Sequence, residues 1–168
     1  MSVTLRYDAK FHADEVPALA MDLAPSNPTL PYRSSYAGVS GTWDSTTTPA
    51  ITAVSSDRLT LAAGVGTLDL RVLVGPNGAG VDFNGLKVKG ILIIANPNNT
   101  AGIVVKDGAT NGYNIWGSAT GEVTVWPGLP IMQLFGNNNA AVSATVKTID
   151  FSSSDVDAEF EIILVAGA

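Results

Sequence analysis

From about residue 57 onward, short apolar runs alternate with turn residues at near-regular intervals, and this spacing limits the fold more tightly than anything else in the chain. The runs fall at 58–63, 67–74, 86–95, 101–106, 112–116, 121–126, 130–135, 141–151 and 158–166. Between them stand "GPNGAG", "NPNNTAG", "KDGATNG", "GSATG", "WPGLP", "GNNNA" and "SSSDVDA". Gly supplies positive φ, Pro presets φ, and Asn, Asp and Ser bond to their own backbone, so each of these segments reverses the chain. Strand-length runs separated by such turns predict an all-β antiparallel sandwich, jelly-roll-like. The absence of a fixed period argues against a propeller or solenoid. Side-chain choice agrees: 17 Val, 10 Ile and 15 Thr make a quarter of the 168 residues, and these stiff, branched side chains suit a pleated surface.

Alternation along the runs raises a question. In "KVKGILIIA" Leu92 and Ile94 share one face, while Lys87 and Lys89 open the other and Ile91 and Ile93 continue it. The strand is wet on one side at its start and apolar on both sides at its end. The same switch recurs in "TLDLRVLV", "GEVTVW", "AVSATVKTIDF" and "AEFEIILV", which end their polar faces on Leu73, on Trp126, on Ile149 and Phe151, and on Ile163 and Val165. Single exposed apolar residues carry no message. Five strands with one pattern predict outer patches that are covered by loops of the same chain, by an N-terminal arm, or by a neighbouring subunit.

Residues 1–50 differ from the sandwich body expected over 51–168. "HADEVPALAMDL" has a weak helical spacing with Pro17 near its start, and "APSNPTLPYRSS" places prolines at 25, 28 and 31. This reads as extended chain with few ladder hydrogen bonds. Phe11, Leu19, Met21, Leu23, Leu30, Tyr32, Tyr36 and Trp43 make it too apolar for a solvated linker. An arm lying on another surface is the expectation.

Charge and chemistry exclude several classes. Charged residues are only 14 % and the net charge is −6, against a usual ~25 % charged. Without a Lys/Arg cluster, nucleic acid is not an expected partner. There is no cysteine, so disulfides and thiolate chemistry are out. No apolar run approaches a ~20-residue membrane span, and "MSVTLRYDAK" has no signal-like apolar segment. Synthesis and folding in a cytoplasm are expected, with no membrane partner. His12 is the single histidine, with no nucleophile motif around it. The glycine-rich stretches lack the Lys-Ser/Thr of a phosphate loop. Asp155, Asp157, Glu159 and Glu161 alternate; such a row either holds Ca²⁺ or guards an edge strand with charge. No catalytic residue, cofactor or metal site is therefore assigned.

An extended arm, a sandwich with Gly/Asn/Thr-rich turns such as "GPNGAG" and "NPNNTAG", no cysteine and one histidine together resemble the decoration (cement) proteins on the heads of tailed bacteriophages. The resemblance spans roughly 57–166 as body and 1–50 as arm. It implies a non-enzymatic virion protein, a homotrimer bound to the major capsid protein on the outside of the shell, stabilising contacts between capsomers. The arm residues expected to bind are Phe11, Val16, Leu19, Met21 and Leu23; those expected at subunit contacts are Trp126, Ile131, Leu134 and Phe135. The alternative is a carbohydrate- or receptor-binding sandwich with exposed tryptophans lining a groove. A jelly-roll metalloenzyme is a third class, which normally needs several histidines.

Overall fold

The computed structural model describes residues 3–9, 14–15, 30–31, 39–117, 121–135 and 137–168. Its strands are β1 (Leu5–Ala9), β2 (Asp14–Glu15), β3 (Leu30–Pro31), β4 (Val39–Trp43), β5 (Ala53–Thr60), β6 (Val65–Asp69), β7 (Leu73–Val74), β8 (Gly80–Val81), β9 (Lys87–Ala95), β10 (Ile103–Asp107), β11 (Glu122–Val125), β12 (Pro130–Leu134), β13 (Thr148–Ser152) and β14 (Glu159–Gly167). The chain divides into two compact units, Leu5–Thr42 and Met1–Thr4 with Trp43–Ala168. In the first, β1 pairs with β4, and β2 pairs antiparallel with β3, Asp14 opposite Pro31.

The larger unit is an all-β sandwich of two antiparallel four-stranded sheets, in orders β11-β10-β13-β6 and β12-β9-β14-β5. Pairing is nested: β5 with β14, β6 with β13, β9 with β12, β10 with β11. The first strand of the sandwich lies beside its last. Val105, Ile149 and Phe151 of one sheet and Ile93, Phe160 and Ile162 of the other point inward and are buried. Phe151 and Phe160 meet at 4.7 Å between ring centroids, tilted by 36°, an aromatic contact that adds to plain burial. Tyr113 is fully buried; its hydroxyl donates to the Ala140 carbonyl at 2.8 Å and accepts from the Val88 N–H at 3.1 Å. That satisfies the one polar atom a buried tyrosine carries.

Several expected strands are displaced. Residues 112–116 form no strand, although Tyr113 and Ile115 are buried. Their N–H groups go to the Thr148 carbonyl and the Asp107 carboxylate, and the Trp116 indole donates to the Val105 carbonyl. Of the expected 141–151, residues 148–151 pair within β13 and Ala141 makes an isolated bridge to Lys87; 142–147 is a looped connection with Val142 N–H bonded to the Leu86 carbonyl. The expected run 67–74 is broken by a turn in which Val72 N–H bonds to Asp69. That turn resets the alternation, so Leu73 is buried and Val72 exposed. The first sandwich strand starts at Ala53, before the expected 58, because its ladder with β14 runs on to Ala166; within it the buried Ser55 hydroxyl donates to the Val74 carbonyl at 2.9 Å.

The switch within β9 has a backbone cause. Val165 pairs with Gly90 but Ala166 pairs with Val88, which leaves Lys89 as an extra residue. Such a bulge inverts the side alternation. Val88 therefore faces the core before it, and Ile91, Ile93 and Ala95 face the core after it. The face led by Lys87 and Lys89 is not the outer one at the strand's end; Leu92 and Ile94 are. A Cβ on Gly90 would sit 3.1 Å from both Leu134 and Val165, so a glycine eases the chain through the bulge.

Candidate functional site

Register fixes which side chains share the outer face of the β12-β9-β14-β5 sheet. Directly opposed residues lie on one side of a sheet. The middle row is Met132, Leu92, Ile163 and Ser56. One flanking row is Pro130, Ile94, Glu161 and Arg58; the other is Leu134, Gly90, Val165 and Val54. An apolar band thus crosses at least three strands, with charge confined to one corner, where Arg58 pairs with Glu159 at 3.1 Å. Met132 is 43 % exposed, Ile94 37 % and Ile163 36 %. Two of the five switched strands, β9 and β14, lie side by side here and supply the centre of the band.

The other three switches resolve differently. Ile149 and Phe151 of β13 and Leu73 of β7 face the core. Trp126, just past β11, is 60 % exposed on the outer side of the opposite sheet. That face is mixed: Lys106 stands between Glu122 and Asp150, Val104 between Thr124 and Ser152, and Val65, 60 % exposed, opposite Ser152. Thr67 donates to Asp150 at 2.6 Å. A Cβ on Gly102 would lie 3.2 Å from the Trp126 ring and 2.7 Å from the Thr124 methyl. The indole therefore rests against the Gly102 backbone, at one side of a shallow groove lined also by Ala101, Val104, Thr124 and Ser152, Ser153 and Ser154.

The four residues expected at subunit contacts do not gather in one place. Leu134 lies in the apolar band and Trp126 on the other sheet. Ile131 and Phe135 pack against the core, Phe135 edge-on to Trp116 at 6.2 Å. Phe11, Val16, Leu19, Met21 and Leu23, and His12 with them, lie outside the described residues.

The alternating carboxylates do not converge. Asp155 sits in a turn and accepts the Thr100 N–H at 2.7 Å, which lowers its pKa. Glu159 takes Arg58 and Asn96. Among the described residues no three His, Asp or Glu side chains are grouped to hold a metal, and no helix is long and apolar enough to cross a membrane.

Sequence reasoning missed one polar feature. The Lys89 side chain is fully buried, its ammonium donating to the Asn137 side-chain oxygen, while Lys87 donates to the Asn137 carbonyl at 3.2 Å. Burial, then the neighbouring Lys87 charge, lowers the Lys89 pKa. The signal in the sequence was "KVKG", a lysine before a glycine where a bulge fits. A search against family models finds no match, and no curated protein matches the chain.

Proposed function

We propose that the chain is a structural virion protein, a decoration (cement) protein that binds the outside of a bacteriophage capsid and stabilises contacts between capsomers. The observation that carries this reading is the apolar band of Leu92, Ile94, Met132, Leu134 and Ile163 on one outer face. Burying such a side chain from full exposure is worth about 1.5–3 kcal/mol; these are already more than half buried, so each gains less than half of that when a partner covers it. Low overall charge fits a surface meant to be covered. The nested pairing of first strand with last is the order expected of a jelly roll, the fold class of the proposed relatives.

The proposed action is passive and non-enzymatic. A sheet of four strands about 4.8 Å apart and about 30 Å long presents roughly 570 Å². A stable interface uses about 800 Å² per partner, so the band alone falls short and a second contact is required. The proposed arrangement supplies it: a homotrimer through the sheet face, with Phe11, Val16, Leu19, Met21 and Leu23 of the N-terminal segment on the major capsid protein.

Light scattering on the purified chain tests the first half. A mass three times the 17.3 kDa subunit supports the reading, and a clean monomer at high concentration counts against it. Co-sedimentation with empty phage shells tests the second half. Because Met1–Thr4 belongs to the larger unit and Val3 is buried, the segment is tested by replacing Phe11, Val16, Leu19, Met21 and Leu23 with serine, which is expected to abolish shell binding while the body stays folded; a variant that binds shells normally refutes the arm's role.

A further inference from the structure

We propose that Trp126 and the groove beside it form a binding site for a neutral saccharide ring. The site lies on the sheet opposite the apolar band and does not rest on the assembly reading. Trp126 is 60 % exposed, yet its ring is not free to sweep. It lies against Gly102, where even a methyl group would crowd it. The result is a flat, prepositioned apolar plate with one face open to solvent. An aromatic plate of this kind gains most from a ligand that is itself flat and C–H-faced on one side and polar at its rim.

The rim fits the same ligand. Ser152, Ser154 and Thr124 bring three hydroxyls to the groove, and none of them, nor the Trp126 indole N–H, has a hydrogen-bond partner among the described residues. Hydroxyls both donate and accept, whereas the indole N–H only donates. A ring of hydroxyl groups uses both. Every groove-lining side chain is uncharged, so nothing there compensates a charged ligand, and an anionic sugar would be desolvated without a partner. A peptide would call for backbone edges or a deep pocket; this groove is shallow and offers side-chain hydroxyls around one aromatic plate. The chemistry selects an uncharged hexose or N-acetylhexosamine unit.

The test is a titration of the full chain with malto-, cello- and chito-oligosaccharides and with sialyllactose, read by tryptophan fluorescence and by the NMR shift of the Trp126 indole N–H. One neutral series is expected to bind saturably with a Kd on the order of 1 mM, as suits a small, open site. Trp126→Ala is expected to weaken binding at least about tenfold, and Trp126→Phe to retain most of it, because the plate survives. Ser154→Ala is expected to weaken binding a few-fold. Since Trp126 is exposed, both tryptophan variants keep the fold, which circular dichroism checks. Silence across all three neutral series overturns the site. So does binding of sialyllactose alone, equal binding by Trp126→Ala, or a Trp126→Ala variant that loses self-association and no sugar binding.

Discussion

The two sheets share one core and part company on their outer faces. Inward, both present branched and aromatic side chains that are almost wholly buried. Outward, the β11-β10-β13-β6 sheet mixes Lys106, Glu122, Asp150, Thr67 and Ser152 with Val65, Val104 and Trp126, while the β12-β9-β14-β5 sheet sets Leu92, Ile94, Met132 and Ile163 side by side with charge only at one corner. Burying a core explains the first pattern on both sheets but cannot explain the second pattern on one. A sandwich needs only its inner faces apolar. An outer face that keeps Leu, Ile and Met across neighbouring strands exceeds what closing the core requires, and under the proposed function a partner covers it.

Four changes would break or sharpen that contrast. The largest effect is expected where both sheets depend on one residue: Phe160→Ala, beneath Phe151, should cost about 3–5 kcal/mol in urea unfolding, since it opens a cavity between the layers. A loss below about 1 kcal/mol would mean the sheets are not packed there as described.

Next comes the contrast itself. Leu92→Lys with Ile163→Glu places an opposed pair of opposite charges in the band, which the sheet tolerates. Self-association by light scattering should weaken by tenfold or more, about 1.4 kcal/mol, while urea stability changes little. Val65→Lys, an exposed apolar residue changed on the opposite, mixed face, should leave association alone. Equal behaviour of the two variants would erase the distinction.

The third change concerns Lys89. Its pKa is lowered in the folded chain, so the unfolded chain holds its proton to higher pH. Stability should therefore rise with pH from the lowered Lys89 value up to about 10.4, the ordinary lysine value. Lys89→Met removes the buried ammonium and should flatten that rise, adding about 1 kcal/mol below it. An unchanged pH profile in the variant would refute the assignment.

The smallest effect belongs to Asp69. Burial raises its pKa, but the hydrogen bond from Lys147 and the Arg71 N–H outweigh it, and the net shift is downward. A lowered carboxylate stabilises the fold above about pH 3.9 and loses that contribution as pH falls through its folded value. The pair is partly exposed, so Asp69→Asn should cost only about 0.5 kcal/mol at neutral pH. The difference from the parent should vanish in acid; a difference that persists there would point to packing.

The all-β class was legible because turn residues are local signals: "NPNNTAG", "WPGLP" and "SSSDVDA" mark real reversals, and the runs at 86–95, 121–126, 130–135 and 158–166 became β9, β11, β12 and β14 with ends shifted by a residue or two. Parity was harder. One bulged residue at Lys89 and one turn after Asp69 each inverted which side chains face inward, and neither leaves a mark in hydropathy. Residues 112–116 look like a strand because Tyr113 and Ile115 are core, yet burial needs no ladder when a carbonyl, a carboxylate and a looped backbone accept the N–H groups. The apolar band itself was half visible. Its residues were flagged strand by strand, but their adjacency depends on pairings such as Ile163 with Leu92, about seventy positions apart. The groove at Trp126 depended on Gly102 lying under the ring, which no spacing rule connects.

The nesting of β5 against β14 also sets a timetable. β14 is an inner strand of its sheet and joins β5 to β9, so that sheet cannot close until residues 159–167 have left the ribosome. At about 5–20 residues per second, the emerging chain spends several seconds with β5 and β9 lacking their shared neighbour. A nascent chain stalled before residue 159 should be cut readily by protease, and one stalled well beyond the last strand should resist. For a protein of this design the final strand is the clasp, and translation, not collapse, decides when it shuts.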